Sequence, residues 1–425
     1  MSANDLGRAV LSGDLACIEG DASAWLGWMK HPHQMGALQS DLRSQIGRSS
    51  GETVLLGMGG SSSGAGMLAH SIGLQNLTIA DTSHPDTIQN LNFEGVNVIA
   101  SSKSGGTIET VAGLAYALSH GADVRKLTII TDPGTALEQL GVSLGARVIH
   151  GDPLTGGRYS ALSAFGLAPL LIAGADELSG SILSEDEWIE AFARGHQAAP
   201  ASGWGELPVS NDPLASFTAL WEEQLIAESS GKSGKGVLPM PGSPVVVTDI
   251  VAHVQRTHAF TVGLCVGLGV DPFRQPDVES AKVRTFAELS DPQVDTFAPS
   301  SELSTWLSRG GPIVLQVFGP LSRANDVISL RSAIAEQGHL VSAGLGPRYL
   351  HSTGQIHKGG SASLRFLQVV VEPAVAPERI SGRNYSFHEL IAAQARGDSQ
   401  ELASRGRDVL RVKVGPNEQL GSLLH

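Results

Sequence analysis

The sequence predicts an α/β fold built on parallel sheets with helices on both faces, arranged in two related halves. Three observations carry that expectation. Short apolar runs alternate with helix-like segments through the first part of the chain, and a second pattern of the same kind follows a loop-like stretch near residue 200. The length, 425 residues, also exceeds the usual span of one hydrophobic core. The first runs are Thr53 to Met58, Leu77 to Ala80, Val96 to Ala100, Leu127 to Thr131 and Arg147 to Ile149. Asp132-Pro133-Gly134 closes the fourth, and Thr135 is placed to cap the helix after it. Residues 200–213, PASGWGELPVSNDP, read as a linker. Beyond it Val245 to Val247 and Ile313 to Phe318 read as strands, Val327 to Gln337 as a helix, and Leu340 with Val341 continues the pattern. From Phe387 the chain reads as one helix, FHELIAAQARG, a second from Gln400 to Gly406, and a last strand, Val409 to Val414.

Composition narrows the function classes. The chain is 41% hydrophobic, as in ordinary globular proteins, and its 51 glycines imply many tight loops. A formal charge of -13 with no cluster of Lys and Arg argues against nucleic acid, which needs a basic stripe. An anionic substrate would have to be drawn in by local cations. Cys17 and Cys265 are far apart and in no metal-like spacing, which fits a reducing compartment. The start, MSANDLGRAV, has no basic region leading to an apolar core, so no signal peptide is expected. The longest apolar stretch, Ala161 to Ala175, is short of a membrane span and carries Gly166 and Pro169. No membrane role is expected, and the chain is read as cytoplasmic.

In sheets of this class ligands sit beyond the carboxyl ends of strands, so the loops are where chemistry is sought. Ser101-Ser102-Lys103-Ser104-Gly105-Gly106-Thr107 follows the third strand-like run and opens a helix with Ile108, Val111, Leu114 and Leu118 apolar. Unpaired amides, glycines and hydroxyls at a helix start suit a phosphate monoester. The same residues also suit a solvated turn capping its helix through Thr107. Gly57-Met58-Gly59-Gly60-Ser61-Ser62-Ser63-Gly64 offers a second close backbone approach, but its glycine spacing is not that of a dinucleotide site, although Asp81 lies near the distance for a ribose contact. Gly156-Gly157-Arg158-Tyr159-Ser160 sets a permanent cation before an apolar helix, either to meet a buried oxyanion or to make a structural salt bridge.

Asp212 and Pro213 read as N-cap and first residue of the helix LASFTALWEEQLIAE, stopped by Ser229-Ser230-Gly231. Gln224 and Glu228 stand four apart on one face, and Glu228 falls in the last turn, where the helix dipole disfavours a negative charge and favours a general base. A glutamate at a helix end is also a common surface feature; Glu222 and Glu223 are read as solvated. The loop from Asp271 to Lys282, DPFRQPDVESAK, brings Lys282 into a first helical turn, where an anionic partner would suit it. His351-Ser352-Thr353-Gly354-Gln355-Ile356-His357-Lys358 offers histidines for proton exchange, although either could be a satisfied loop residue; their spacing does not match a helical zinc pair.

Together these loops resemble the phosphoglucose isomerase family of sugar isomerases, over about Gly51 to Gly360, through GMGGSS, SKSGGTIET, GGRYS, QLIAESSGK, DPFRQPDVESAK and HSTGQIHKGG. GPRYLHSTGQIHKGG and LIAAQARGD are most similar to the isomerase part of bacterial transaldolase/phosphoglucose isomerase fusions, although no transaldolase barrel fits ahead of residue 51. The resemblance implies a helical segment over 1–50, sugar isomerase (SIS) domains over 51–205 and 206–375, and a helical C-terminal extension over 376–425. It implies interconversion of glucose 6-phosphate and fructose 6-phosphate with no metal and no cofactor. By motif, Ser102, Lys103, Ser104 and Thr107 would hold the phosphate, and Gly60, Ser61 and Gln224 the sugar. Glu228 would move the proton between C1 and C2, and Arg158 would stabilise the cis-enediolate. Lys282 and a histidine would open the ring. Here the histidine motif follows the lysine motif, against the usual order, so His351 is the first choice, with His253 and His258 as rivals. Arg274 stands where the family usually has an acidic residue, and Ser230 where it has asparagine. The resemblance also suggests a homodimer.

Two further readings stand beside this one. Mannose 6-phosphate would be a second substrate, because the same base serves either C2 epimer. A non-catalytic sugar-phosphate sensor would keep Ser102, Ser104 and Thr107 but need neither Glu228 nor Arg158, and their joint presence favours catalysis. An aminosugar synthase fragment would need a glutaminase nucleophile near the start, which is not there.

Overall fold

A computed structural model describes residues 1–424, and for 279–282 the backbone alone. The first sheet contains β1 (Thr53–Gly57), β2 (Leu77–Ala80), β3 (Asn97–Ser101), β4 (Leu127–Thr131) and β5 (Arg147–His150). Its order is β2-β1-β3-β4-β5 and every pairing is parallel. The central strands β1, β3 and β4 are buried on both faces almost throughout, as a covered parallel sheet requires. Leu55, Ile99 and Ile130 pack on one side against Leu68 and Phe165, while Val54, Leu56, Val98 and Ala100 pack on the other against Leu114 and Tyr116. Strand order reverses between β1 and β3, so the loops after these two strands meet at the switch point.

β6 (Trp204–Pro208) and β7 (Gly236–Met240) form a small parallel pair, so the expected linker is partly strand. A second parallel sheet has the order β11-β10-β8-β9, from β8 (Ile313–Phe318), β9 (Val341–Gly346), β10 (Arg365–Val371) and β11 (Asp408–Val414). One face packs on the Ala324–Ala335 helix through Val327, Leu330 and Ile334. The other meets Ile356, Leu402, Ile391 and Ala395. The protein is therefore α/β with two doubly wound parallel sheets.

Three local expectations fail for physical reasons. Val245 to Val247 forms no strand; Val245 and Val246 are exposed beside Pro241 and Pro244. The two expected C-terminal helices are one, Phe387–Ser404, running through Gly397. A Cβ at Gly397 would press on the backbone of Arg284 and Thr285, so glycine serves close packing there rather than a break. The Phe217–Ser230 helix starts later than expected: Ser216 caps it, accepting from the Ala219 amide, while Asp212 binds the Leu214 amide and Arg331.

That helix is the pillar between the sheets. Trp221 and Leu225 join the first core and Ala227 joins the second sheet's, and every residue but Phe217 is buried. Such a helix has no solvated face. Glu222 and Glu223, read as solvated, are therefore buried: Glu222 accepts from the Ser210 amide and pairs with His253 at 2.8 Å. Burial, then the Asp212 charge, pushes Glu223 up to about 8.

Candidate active site

The loops after β1 and β3 form one end of a cleft of about 900 Å³ between the halves. In the second loop Thr107 precedes the Ile108–Ser119 helix, yet its side chain does not cap it. The Thr107 hydroxyl instead meets the Ser102 hydroxyl at 2.8 Å, which sets aside the expected capping turn. The positive end of a twelve-residue helix thus opens towards the cleft beside Ser104, Gly106 and Thr107. Gly105 holds φ 67°, a left-handed turn that favours glycine. Lys103 lines this end too, but its ammonium pairs with Asp132 and donates to the Asp152 carbonyl at 3.1 Å.

Gly60 and Ser61 form the adjoining wall. The Ser61 hydroxyl accepts from the Lys103 amide at 3.3 Å, tying the two loops together. A Cβ at Gly60 would run into the Gly157 carbonyl and the Arg158 amide, so only glycine lets the Arg158 loop approach.

Arg158 itself is almost fully buried. Its Nε donates to Ser229 Oγ at 2.8 Å, NH1 to Gln275 Oε1 at 2.6 Å and NH2 to the Pro272 carbonyl at 2.7 Å. Glu228 Oε1 stands 3.5 Å from NH1. Gln224 Nε2 bridges Glu228 Oε2 and the His351 carbonyl, each at 3.0 Å. The Lys232 ammonium, buried behind this pair, donates to the carbonyls of Glu228 and Ser229, and burial with the Arg158 charge pulls it down to about 7.

Across the cleft His351 Nε2 lies 2.8 Å from Glu109 Oε1, which leaves Nδ1 as the ring atom without a partner among the described residues. Burial alone would raise the Glu109 carboxyl, but His351 and the hydrogen bonds around it hold it below the usual carboxylate range. Gln394 Nε2 donates to the same Glu109 oxygen at 2.5 Å. Neither rival histidine lines the cleft. His258 is boxed by Trp28, Tyr159 and Trp221, and burial pushes it down to about 3, while His253 pairs with Glu222. The Lys282 side chain lies outside the described residues.

Glu109, Gln275 and Gln394 were not among the expected site residues, and Trp25 lines the cleft as well. Glu109 had a visible signal, an acid two places after Thr107 in a phosphate-type loop. Gln394 had none, being 285 residues from its partner. Among the described residues no helix is long and apolar enough to cross a membrane.

No family model matches the chain. It is similar to curated proteins named glucose-6-phosphate isomerase. That of Thermus thermophilus is 34% identical over 176 residues, 38% of this chain and 42% of that protein. That of Rubrobacter xylanophilus is 30% identical over 254 residues, 50% of this chain and 58% of that one. The match thus spans about half the length of these relatives. A solved glucose-6-phosphate isomerase from Chlamydia trachomatis aligns over 99% of this chain and 77% of that chain at 14% identity, with a weak TM-score of 0.32.

Proposed function

We propose that the chain is a phosphosugar isomerase that interconverts glucose 6-phosphate and fructose 6-phosphate by ring opening and proton transfer through a cis-enediolate. The observation that carries the reading is the pairing of Glu228 with Arg158 at 3.5 Å in the same cleft that His351, held on Glu109, lines. A sensor of sugar phosphates would need neither pair.

The phosphate is taken by the Ser102 to Thr107 loop, where hydroxyls and the helix N-terminus favour a dianion. Lys103, already paired with Asp132, contributes field there more than a direct bond. Ring opening breaks C1–O5: O1 loses its proton and O5 gains one. His351 serves one of these transfers through Nδ1, since Nε2 is engaged by Glu109, and Lys282 serves the other.

In the open aldose Glu228 removes the C2 proton, C2 forms a double bond to C1, and O1 takes the negative charge. Arg158 has a single NH1 hydrogen not spent on protein acceptors at short distance, and it stabilises that oxygen. Glu228 returns its proton to C1 while the O2 proton passes to O1, which leaves the 2-ketose. Gln224 keeps the carboxylate against the His351 backbone through both steps.

Because the base acts at C2, mannose 6-phosphate is a second candidate substrate. Coupled assays with glucose 6-phosphate, fructose 6-phosphate and mannose 6-phosphate on the purified chain test the reading. Turnover of the first pair is expected; a folded protein inert on all three overturns it.

A further inference from the structure

We infer that Gln394 is a positioning residue for the ring-opening histidine, acting through Glu109. The inference rests on the isomerase reading only for its kinetic arm. Gln394 comes from the Phe387–Ser404 helix of the C-terminal stretch, and its amide is buried at the cleft wall. Its Nε2 donates to Glu109 Oε1 at 2.5 Å, and its Oε1 accepts from Ser83 Oγ at 2.5 Å. Ser83 lies in the loop after β2, on the far side of the sheet's switch point. The carboxylate, which only accepts, fixes the nitrogen end of the amide towards Glu109, and the Ser83 hydroxyl, free to donate or accept, donates to the oxygen at the other end.

One carboxylate oxygen, Glu109 Oε1, therefore receives two donors, Gln394 and His351, while Oε2 is buried without a partner. A neutral donor on that oxygen does two things. It fixes the carboxylate's rotation, so that the imidazole is aimed with Nε2 inward and Nδ1 at the cleft. It also shares the charge that would otherwise be spent wholly on the imidazolium. The His351 ring contacts Glu109 from the Ile108–Ser119 helix, and the His351 carbonyl contacts the Gln224 amide; Gln394 reaches the ring only through Glu109. The charged residues Glu228, Arg158, Arg274, Lys103, Asp132 and Asp398 share the cleft, unaltered by a change at Gln394. Glu109 is the charged group in hydrogen-bond contact with the ring. With Gln394 removed, Glu109 attracts the protonated ring more strongly, and His351 holds its proton to higher pH.

The test uses Gln394→Leu in the full chain. The acidic limb of the pH dependence of kcat/KM on glucose 6-phosphate is expected to move upward by about one pH unit, the size of a charge-assisted hydrogen bond. The His351 ring resonance, followed by NMR against pH, should move by the same amount in the same direction. In a Glu109→Gln background Gln394→Leu should shift neither. A merely structural role would lower stability or kcat at every pH and leave both midpoints in place. A folded Gln394→Leu protein with an unmoved His351 titration overturns the inference even if the enzyme is active. If the wild type turns over no sugar phosphate, the isomerase reading fails, while the NMR titration still decides the role of Gln394.

Discussion

Replacing Arg158 by lysine keeps the charge and removes the geometry. The guanidinium spends Nε, NH1 and NH2 on Ser229, Gln275 and the Pro272 carbonyl, at 2.6 to 2.8 Å. An ammonium on a shorter stem reaches one of these acceptors. Ser229 Oγ keeps the Tyr159 hydroxyl at 3.3 Å and Gln275 is only half-buried, so the cost is about 1–3 kcal/mol for the one buried acceptor left short of a donor. Two of the three acceptors belong to the 271–276 loop, so the loss is local before it is global. Amide hydrogen exchange should rise in 271–276 ahead of the sheets. The remaining hydrogen on NH1, a nitrogen 3.5 Å from Glu228 Oε1, is the one proposed to meet the enediolate. Losing an oriented donor of this kind lowers kcat by about 10²–10³. The assay is coupled turnover of fructose 6-phosphate with exchange mass spectrometry on the same preparation. Full turnover with unchanged loop exchange would refute the argument, since no lysine rotamer reproduces the three-way anchor.

Other changes probe separate parts of the reasoning. Glu228→Gln keeps the size and the Gln224 contact but removes the base; kcat should fall by about 10²–10⁴ while the affinity for a sugar phosphate, read by calorimetry, stays within a few-fold. Near-normal turnover would take Glu228 out of the chemistry. Gly60→Ala forces a methyl into the Gly157 carbonyl, an overpacking cost of about 1–3 kcal/mol, so binding should weaken by about tenfold or more. An unchanged affinity would show that the two loops need not touch. Glu223 is raised from 4.5 to about 8 by burial, so the folded state holds a proton that the unfolded state releases between those values. Stability therefore falls as pH rises through that window. Glu223→Gln escapes this, and its urea midpoint should gain on wild type between pH 5 and pH 8; a constant difference would contradict the assignment.

The strands of the first sheet, and β8 and β11 of the second, were legible because parallel strands buried on two faces leave unbroken apolar runs, as in Leu127 to Thr131, whereas β10, central in the second sheet, was not among the expected strands. The switch-point loops were legible for the same reason: each follows such a run and carries glycine and hydroxyls. What the pattern hid was burial of polar residues. Glu222 and Glu223 look like a solvated face until the helix carrying them is found between two sheets, a fact of tertiary packing with no local signature. Gly397 misled in the opposite way, since a glycine within a helical pattern marks either an end or a close crossing, and the crossing partner is more than a hundred residues away. Of the three histidines the sequence ranked but could not separate, His351 lines the cleft and meets Glu109, His258 is boxed by aromatic rings and His253 pairs with Glu222, and none of this was visible in spacing.

The contacts that span the cleft are polar, whereas those that hold the halves together are apolar. Asp81 with Arg348 at 2.7 Å, Ser83 with Gln394, and Glu109 with His351 all join the first sheet's loops to elements of the second. Buried pairs of this kind add little net stability, because desolvation offsets the attraction, but breaking one leaves an unpaired charge at a cost of several kcal/mol. Their effect is to admit one relative arrangement of the halves. The adhesion comes instead from the pillar helix, with Leu225 in one core and Ala227 in another beside Val314 and Phe366. Trimming that apolar contact should lower stability with the cleft geometry intact. Trimming a polar bridge should also lower stability and, in addition, blur the placement of His351 against Glu228. The apolar contacts thus supply adhesion alone, whereas the polar bridges also set how the cleft residues face one another.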